Sequence, residues 1–179
     1  MIRRKPSSNS LNAGLAGPGG TTSVRAVVVH AGDAEIIQAG TTQTLLADSS
    51  ATGGITGANL ISIPAGGDGA HPHVHEKSAE VFYVLDGAME ILLDDRIETV
   101  GKGGFVVVPP GVPHAFAATA DSAVEIFIYI APGVDRYDFF RLLQRITRGE
   151  EPESALEDVQ DRYDVHFTTS QVWDAAGHR

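Results

Sequence analysis

The sequence predicts an all-β body, a sandwich or barrel of short antiparallel strands, followed by a helical extension. Two observations carry this. From about Val24 to Ala131 apolar residues recur mostly with period two, in short runs broken by Gly, Pro, Asp and Asn. After Pro132 the spacing changes to that of an amphipathic helix. With 179 residues, 42% of them apolar, and no internal repeat, the chain has material for one core and one domain.

Residues 1–22 are rich in Gly, Ser and Asn and are expected to form a flexible arm. Arg3, Arg4 and Lys5 open it, but no continuous apolar run follows, so a secretory leader is not expected. Residues 23–132 are assigned to the barrel and 133–179 to the extension. Within the barrel, residues 24–30 (VRAVVVH) and 43–48 (QTLLAD) read as strands. Residues 49–54 read as a polar loop and 55–63 (ITGANLISI) as a long strand ending at Pro64. A histidine-rich segment follows. Residues 80–85 (EVFYVL) form the next strand, and Asp86-Gly87 is a two-residue hairpin signal that would return 88–93 (AMEILL) antiparallel to it. Turns at Asp94-Asp95 and at 101–104 flank 96–100 (RIETV) and lead into 105–108 (FVVV). PPGVP, residues 109–113, is a rigid turn. Residues 123–131 (AVEIFIYIA) close the β-rich region, with Phe127 and Tyr129 expected in the core beside Met89 and Ile91. A closed barrel leaves few unpaired edges, and its mouth is a usual place for a ligand.

Beyond Pro132, Asp135 is the expected N-cap of a helix, with Asp138 in the first turn. Phe139, Leu142, Leu143 and Ile146 fall on one face, and Gly149 ends the helix. A second short helix starts near Pro152, with Leu156, Val159 and Tyr163 on one side, and the tail from Asp164 to Trp173 reads as extended. Both helices must pack on the barrel or on a second copy of the chain. The first is expected as a fixed cap or dimer contact rather than a moving lid, and Tyr163 and Trp173 as packing anchors.

Charge and composition exclude several function classes. Thirteen basic against 23 acidic residues give a net charge of −10, which disfavours nucleic acid and anionic membranes. No window reaches the ~18 apolar residues of a membrane span. The chain has no cysteine, so disulfides, thiolate metal sites and a cysteine nucleophile are excluded. A cytoplasmic protein is the expectation, and a homodimer is the default assembly.

The chemistry concentrates in two clusters. The first, in GDGAHPHVHEKSAEVFYVLDG, contains Gly67, His73, His75, Glu80 and Gly87; the second, in GGFVVVPPGVPH, contains Gly103, Pro109, Gly111 and His114. His73 and His75 are two apart and share a strand face. Residues 76–79 suit a turn that brings Glu80 back beside them, with Phe82 and Val84 on the same face as Glu80. The proline-rich turn delivers His114. Three imidazoles and a carboxylate suit Fe, Mn, Co, Ni, Cu or Zn as divalent ions, with bonds of ~2.0–2.2 Å. Four protein ligands leave coordination positions open, as a catalytic site requires. Phe116, two residues after His114, faces the same interior and is a candidate to line a pocket for an aromatic substrate; His71 is a candidate substrate donor.

These clusters resemble the two signatures of the cupin superfamily, G-x5-H-x-H-x4-E-x6-G and G-x5-P-x-G-x2-H, at every one of those fixed positions; the usual asparagine four residues after the last histidine is replaced by Ala118. The resemblance covers roughly residues 55–131. It implies a double-stranded β-helix, or jelly-roll barrel, with two C-terminal helices, and a divalent metal on His73, His75, Glu80 and His114. The segments from Ala131-Pro132-Gly133 to Phe139-Phe140 and from Tyr163 to Phe167 resemble bacterial flavonol (quercetin-type) dioxygenases. That resemblance implies ring cleavage of a flavonol or related phenolic or enol by O2, with Glu80 as both ligand and base. Such a base needs a pKa near the working pH, which desolvation would raise. Two other functions fit the same motifs: a metal-dependent isomerase or polyketide cyclase without redox chemistry, and a small-molecule-binding cupin without catalysis.

Overall fold

Residues 25–178 are described by a computed structural model. The expected N-terminal arm, residues 1–22, lies outside them. The strands are β1 (Glu35–Ala39), β2 (Thr41–Ala47), β3 (Gly57–Ile63), β4 (Asp68–Val74), β5 (Ala79–Leu93), β6 (Arg96–Gly101), β7 (Phe105–Val108), β8 (His114–Ala118), β9 (Val124–Ala131) and β10 (His166–Phe167). The helices are α1 (Tyr137–Thr147), α2 (Gln160–Tyr163) and α3 (Gln171–Ala175). All strand pairs are antiparallel and join in the order β1-β2-β3-β9-β5-β8-β4-β10, with β6 and β7 also on β5. This is the curled double sheet of a jelly roll.

One strand belongs to both sheets. The first half of β5 pairs with β9 and β7, and its second half with β8 and β6. The expected hairpin at Asp86-Gly87 is therefore absent: the chain runs straight on through it as a single 15-residue strand. Gly87 does adopt the positive φ that suggested a turn (72°). It uses it at an irregularity between Val84 and Asp86, where the strand bends from one sheet to the other. A Cβ at Gly87 would stand 1.8 Å from the Ala123 carbonyl oxygen, so the corner also demands close backbone approach. A local pair of residues cannot distinguish a reversal from a bend; the partners across the ladder decide.

The space between the sheets is filled by Ile61, Ile63, Phe82, Val84, Met89, Ile91, Ile126 and Ile128, none more than 4% exposed. Each such side chain stabilises the fold by about 1.5–3 kcal/mol. The alternation on β9 places Ile126, Ile128 and Ile130 inward, so Phe127 and Tyr129 lie half-buried on the other face and not in the core as expected. Residues 25–30 form no strand, and Val28 is exposed, although their sequence is β-prone; they have no pairing partner among the described residues. β1 was hidden in a run of mixed polarity. It is held by its full register on β2 and by Ile37, which packs under α1 with Leu45, Phe139 and Phe140.

The extension packs on the barrel as expected. Asp135 is not the N-cap of α1; its carboxylate accepts the Ser50 N–H at 2.6 Å. Asp48 serves α1 instead, accepting the Arg136 and Tyr137 N–H groups at 2.8 and 3.4 Å. Gly149 follows α1 with φ 71°. Residues Glu153–Val159 form a 3-10 segment leading into α2. The tail is extended only over β10, which pairs with β4; α3 then buries Trp173 completely against Leu92, Ala115 and Ala117.

Gly69 on β4 sets the wall of the barrel mouth. A Cβ there would meet the Phe116 ring at 2.5 Å and Ile63 at 2.7 Å. Gly69→Ala is expected to push Phe116 inward and cost about 1–3 kcal/mol by overpacking, read as a lower urea midpoint.

Candidate metal centre

Three strands converge at the mouth. β4 carries His73 and leads into His75, β5 begins one residue before Glu80, and β8 begins with His114. Register places His73 directly opposite His114. The turn over residues 109–113 is anchored on the first cluster by the Gly111 N–H, which donates to the His75 carbonyl at 2.8 Å. All four side chains are at most 3% exposed, and their ligand atoms lie within 4.8 Å of one another. A single ion with bonds of ~2.1 Å spans at most ~4.2 Å between ligands, so a small contraction closes the set.

The backbone orients each imidazole. Nδ1 of His73 faces the His71 carbonyl at 2.8 Å, Nδ1 of His114 faces the Val112 carbonyl at 2.9 Å, and Nδ1 of His75 faces the Asp164 carbonyl. A carbonyl only accepts, so each Nδ1 is the protonated nitrogen and each Nε2 turns inward. Nε2 of His75 is buried without a hydrogen-bond partner. Glu80 Oε2 lies 3.1 Å from His114 Nε2 and 3.4 Å from His75 Nε2. Lone pairs directed at a carboxylate repel unless a cation, proton or metal stands between them. The donor set and the orphaned nitrogen therefore fit a transition ion.

Electrostatics agree. Burial, reinforced by His114 and His75, holds the His73 imidazole well below the usual histidine range, and Glu80 only partly opposes this. A ligand histidine must be neutral. For Glu80, burial alone would raise the pKa, but His75, Arg136 and the hydrogen-bonding histidines more than offset it, and the carboxyl sits well below its usual range. The upward shift expected from desolvation is thus reversed by His75 and His114, which the sequence had placed beside Glu80, and by Arg136, which it had not.

Two residues that shape the cluster were missed. Asp164 follows α2 in the left-handed conformation (φ 52°) and is 1% exposed. Its carboxylate accepts the N–H groups of Glu76, Lys77 and Ser78 at 3.0, 3.1 and 3.2 Å, while its carbonyl holds His75. The turn between β4 and β5 is thus organised by a residue from the extension. Nothing in the local sequence announces this. Arg136, at the start of α1, has side-chain accessibility of 11% and donates to Glu80 Oε1 at 3.0 Å. Its signal was available: a cation at a helix N-terminus opposes the macrodipole, so something else must hold it.

The four-residue cluster opens into a cavity of about 270 Å³. His73 and Glu80 form its floor; Phe116, Ile128, Phe139, Phe140, Leu143 and Phe167 supply apolar wall, and Gln43, Asn59 and Arg136 supply polar groups. Phe116 and the exposed His71 both line the cavity. α1 roofs the cavity.

Known proteins agree with the fold. Residues 59–130 match the family profile described as Cupin domain. Protein SchB of Streptomyces halstedii is 31% identical over 88 residues, 49% of this chain and 62% of SchB, so the chain spans less than two thirds of that relative. The polyketide cyclase RemF from Streptomyces resistomycificus superposes with a TM-score of 0.51 and 25% identity, over 60% of this chain and 80% of RemF. Among the described residues no helix is long and apolar enough to cross a membrane.

Proposed function

This chain carries a single cupin domain, and from that premise we propose that it is a metal-dependent enzyme that closes a ring in an extended, largely apolar polyketone or phenolic substrate. The observation that carries the reading is the buried set of three inward Nε2 atoms and one carboxylate at the floor of an aromatic-walled cavity. The likeness to the cyclase RemF supports ring closure among the chemistries such a site permits.

A divalent transition ion (Ni, Mn, Fe, Co, Cu or Zn) on His73, His75, Glu80 and His114 would polarise a substrate carbonyl or enol oxygen and acidify the carbon beside it. Glu80 is assigned the proton leaving that carbon. Its lowered pKa makes it a weak base, so the transfer requires a carbon acidified to match. The deprotonated carbon then joins a second carbonyl carbon, whose oxygen takes back the proton held by Glu80; the resulting hydroxyl leaves as water with the second hydrogen of the attacking carbon, a carbon–carbon double bond forms, and nothing is oxidised. Phe116 and Ile128 hold the apolar body of the substrate, and His71 donates at the mouth.

A second reading, ring cleavage of a flavonol or related phenol by O2, is favoured by the same aromatic wall, which suits a flat fused-ring ligand. Zinc separates the two, because it has no accessible redox chemistry. Metal-free protein is reloaded separately with Zn, Ni, Co, Mn, Fe and Cu, then offered a 1-aryl-1,3,5-triketone and quercetin. The expected result is cyclisation of the triketone by the zinc-loaded protein under nitrogen, with one water lost per ring and no O2 uptake. Quercetin loss matched by O2 uptake, and absent with zinc, would replace ring closure by the dioxygenase. Tight binding of either compound without turnover would replace both by a small-molecule-binding cupin.

A further inference from the structure

Arg136 is the only Lys or Arg among the described residues that line the cavity. Three contacts fix it. Its backbone N–H is held by Asp48 at 2.8 Å, its Nη1 donates to Glu80 Oε1 at 3.0 Å, and its guanidinium carbon stands 5.5 Å from the centroid of the Phe140 ring. The planar fork is therefore pre-positioned. Yet its Nε–H is buried with no hydrogen-bond partner, a costly omission for a charged donor unless something completes it.

Oε2 of Glu80 faces the imidazoles and Oε1 faces Arg136, so a divalent ion on the four residues would draw on the carboxylate's charge and leave the largely buried guanidinium only partly compensated. The acids elsewhere on the cavity wall do not serve it: Glu153 is exposed, and Asp68 is exposed and pairs with His178 at 3.4 Å. Across the cavity, the buried amides of Gln43 and Asn59 bond to each other at 2.8 Å through Asn59 Nδ2 and Gln43 Oε1. Their outer atoms, Gln43 Nε2 and Asn59 Oδ1, remain a donor and an acceptor for neutral oxygens, whereas Arg136 offers only donors and a charge.

We propose that Arg136 binds an anionic oxygen of the substrate, so that this cavity selects largely apolar molecules carrying one carboxylate, phenolate or enolate. The assignment rests on reading the cavity as the substrate site, and it makes Arg136 a specificity-determining residue. It also gives Glu80 a fixed orientation, with one oxygen for the metal centre and one for Arg136.

The test is calorimetric and needs no turnover. Zinc-loaded protein is titrated with 2-naphthoate and with its methyl ester, which has the same ring system without the charge. The acid is expected to bind at least tenfold more tightly than the ester. In Arg136→Met the acid falls to the affinity of the ester while the ester is unchanged, and Arg136→Lys lies between. Zinc stoichiometry measured on each variant shows that the metal centre has survived. Equal binding of acid and ester by the natural protein would overturn the role of Arg136 and leave the substrate cavity standing, and that comparison depends on no variant. Retention of the acid preference in Arg136→Met would also overturn it, placing the anion on the metal alone. Failure of both compounds to bind would overturn the substrate cavity itself, and Arg136's role with it.

Discussion

Asp164→Ala is expected to cost this protein about 3 kcal/mol of stability and to weaken metal binding about 10–100-fold. The substitution removes the acceptor of three backbone N–H groups in the turn between β4 and β5. Glu76 and Lys77 are exposed and their amides can turn to water, but Ser78 is buried and its amide is left unpaired. The same turn carries His75 on one side and Glu80 on the other, so its loosening spreads the ligand set. Urea denaturation of metal-free protein reads the first effect, and competition with a zinc-chelating dye reads the second. Asp164→Asn keeps the left-handed preference but turns an amide N–H2 toward backbone donors; it should fall between the natural protein and the alanine variant. Unchanged zinc affinity in Asp164→Ala would show that the barrel alone positions His75.

His114→Ala is expected to reduce zinc affinity by on the order of 100-fold or more, beyond the 10–100-fold typical of partners one bond further out, while leaving the barrel folded. His114 is a ligand candidate and is fully buried. Its loss leaves three donors and removes the group nearest Glu80 Oε2. Far-UV circular dichroism should be unchanged, because the β8 ladder runs through the backbone and Phe116 still anchors the strand. Triketone cyclisation should disappear with the metal. Full zinc loading in His114→Ala would remove His114 from the ligand set and with it the reading of the second cluster.

The convergence of His73, His75, Glu80 and His114 was legible in the sequence because each has a local reason to be where it is. Alternation puts His73 and His75 together, a short turn returns Glu80, and a proline-stiffened turn delivers His114. β6, β7 and β9 were legible for the same reason, being short alternating runs between glycines, prolines and acidic turns. Where reading failed, the deciding contact was distant in the chain. Gly87 looks like a hairpin until Ala123 is seen pressed against it. Residues 25–30 are β-prone but have no partner strand among the described residues, whereas β1, with a weaker pattern, pairs fully with β2.

The sequence by itself therefore determined the fold class, several strands of the barrel, and the convergence of His73, His75, Glu80 and His114, since period-two patterning and turn chemistry act over a few residues. The carbonyls that orient His73 and His114 are two residues away, but the partners of His75 and Glu80 come from far along the chain. Asp164 lies 89 residues beyond His75 and Arg136 lies 56 beyond Glu80, and each reaches its partner only because the extension folds back across the barrel mouth. Burial would have raised the pKa of Glu80; the charges gathered around it by the folded chain lower it instead. Such effects depend on distances of 3 Å between residues far apart in sequence, and Coulomb and hydrogen-bond energies at that range leave no imprint on local pattern.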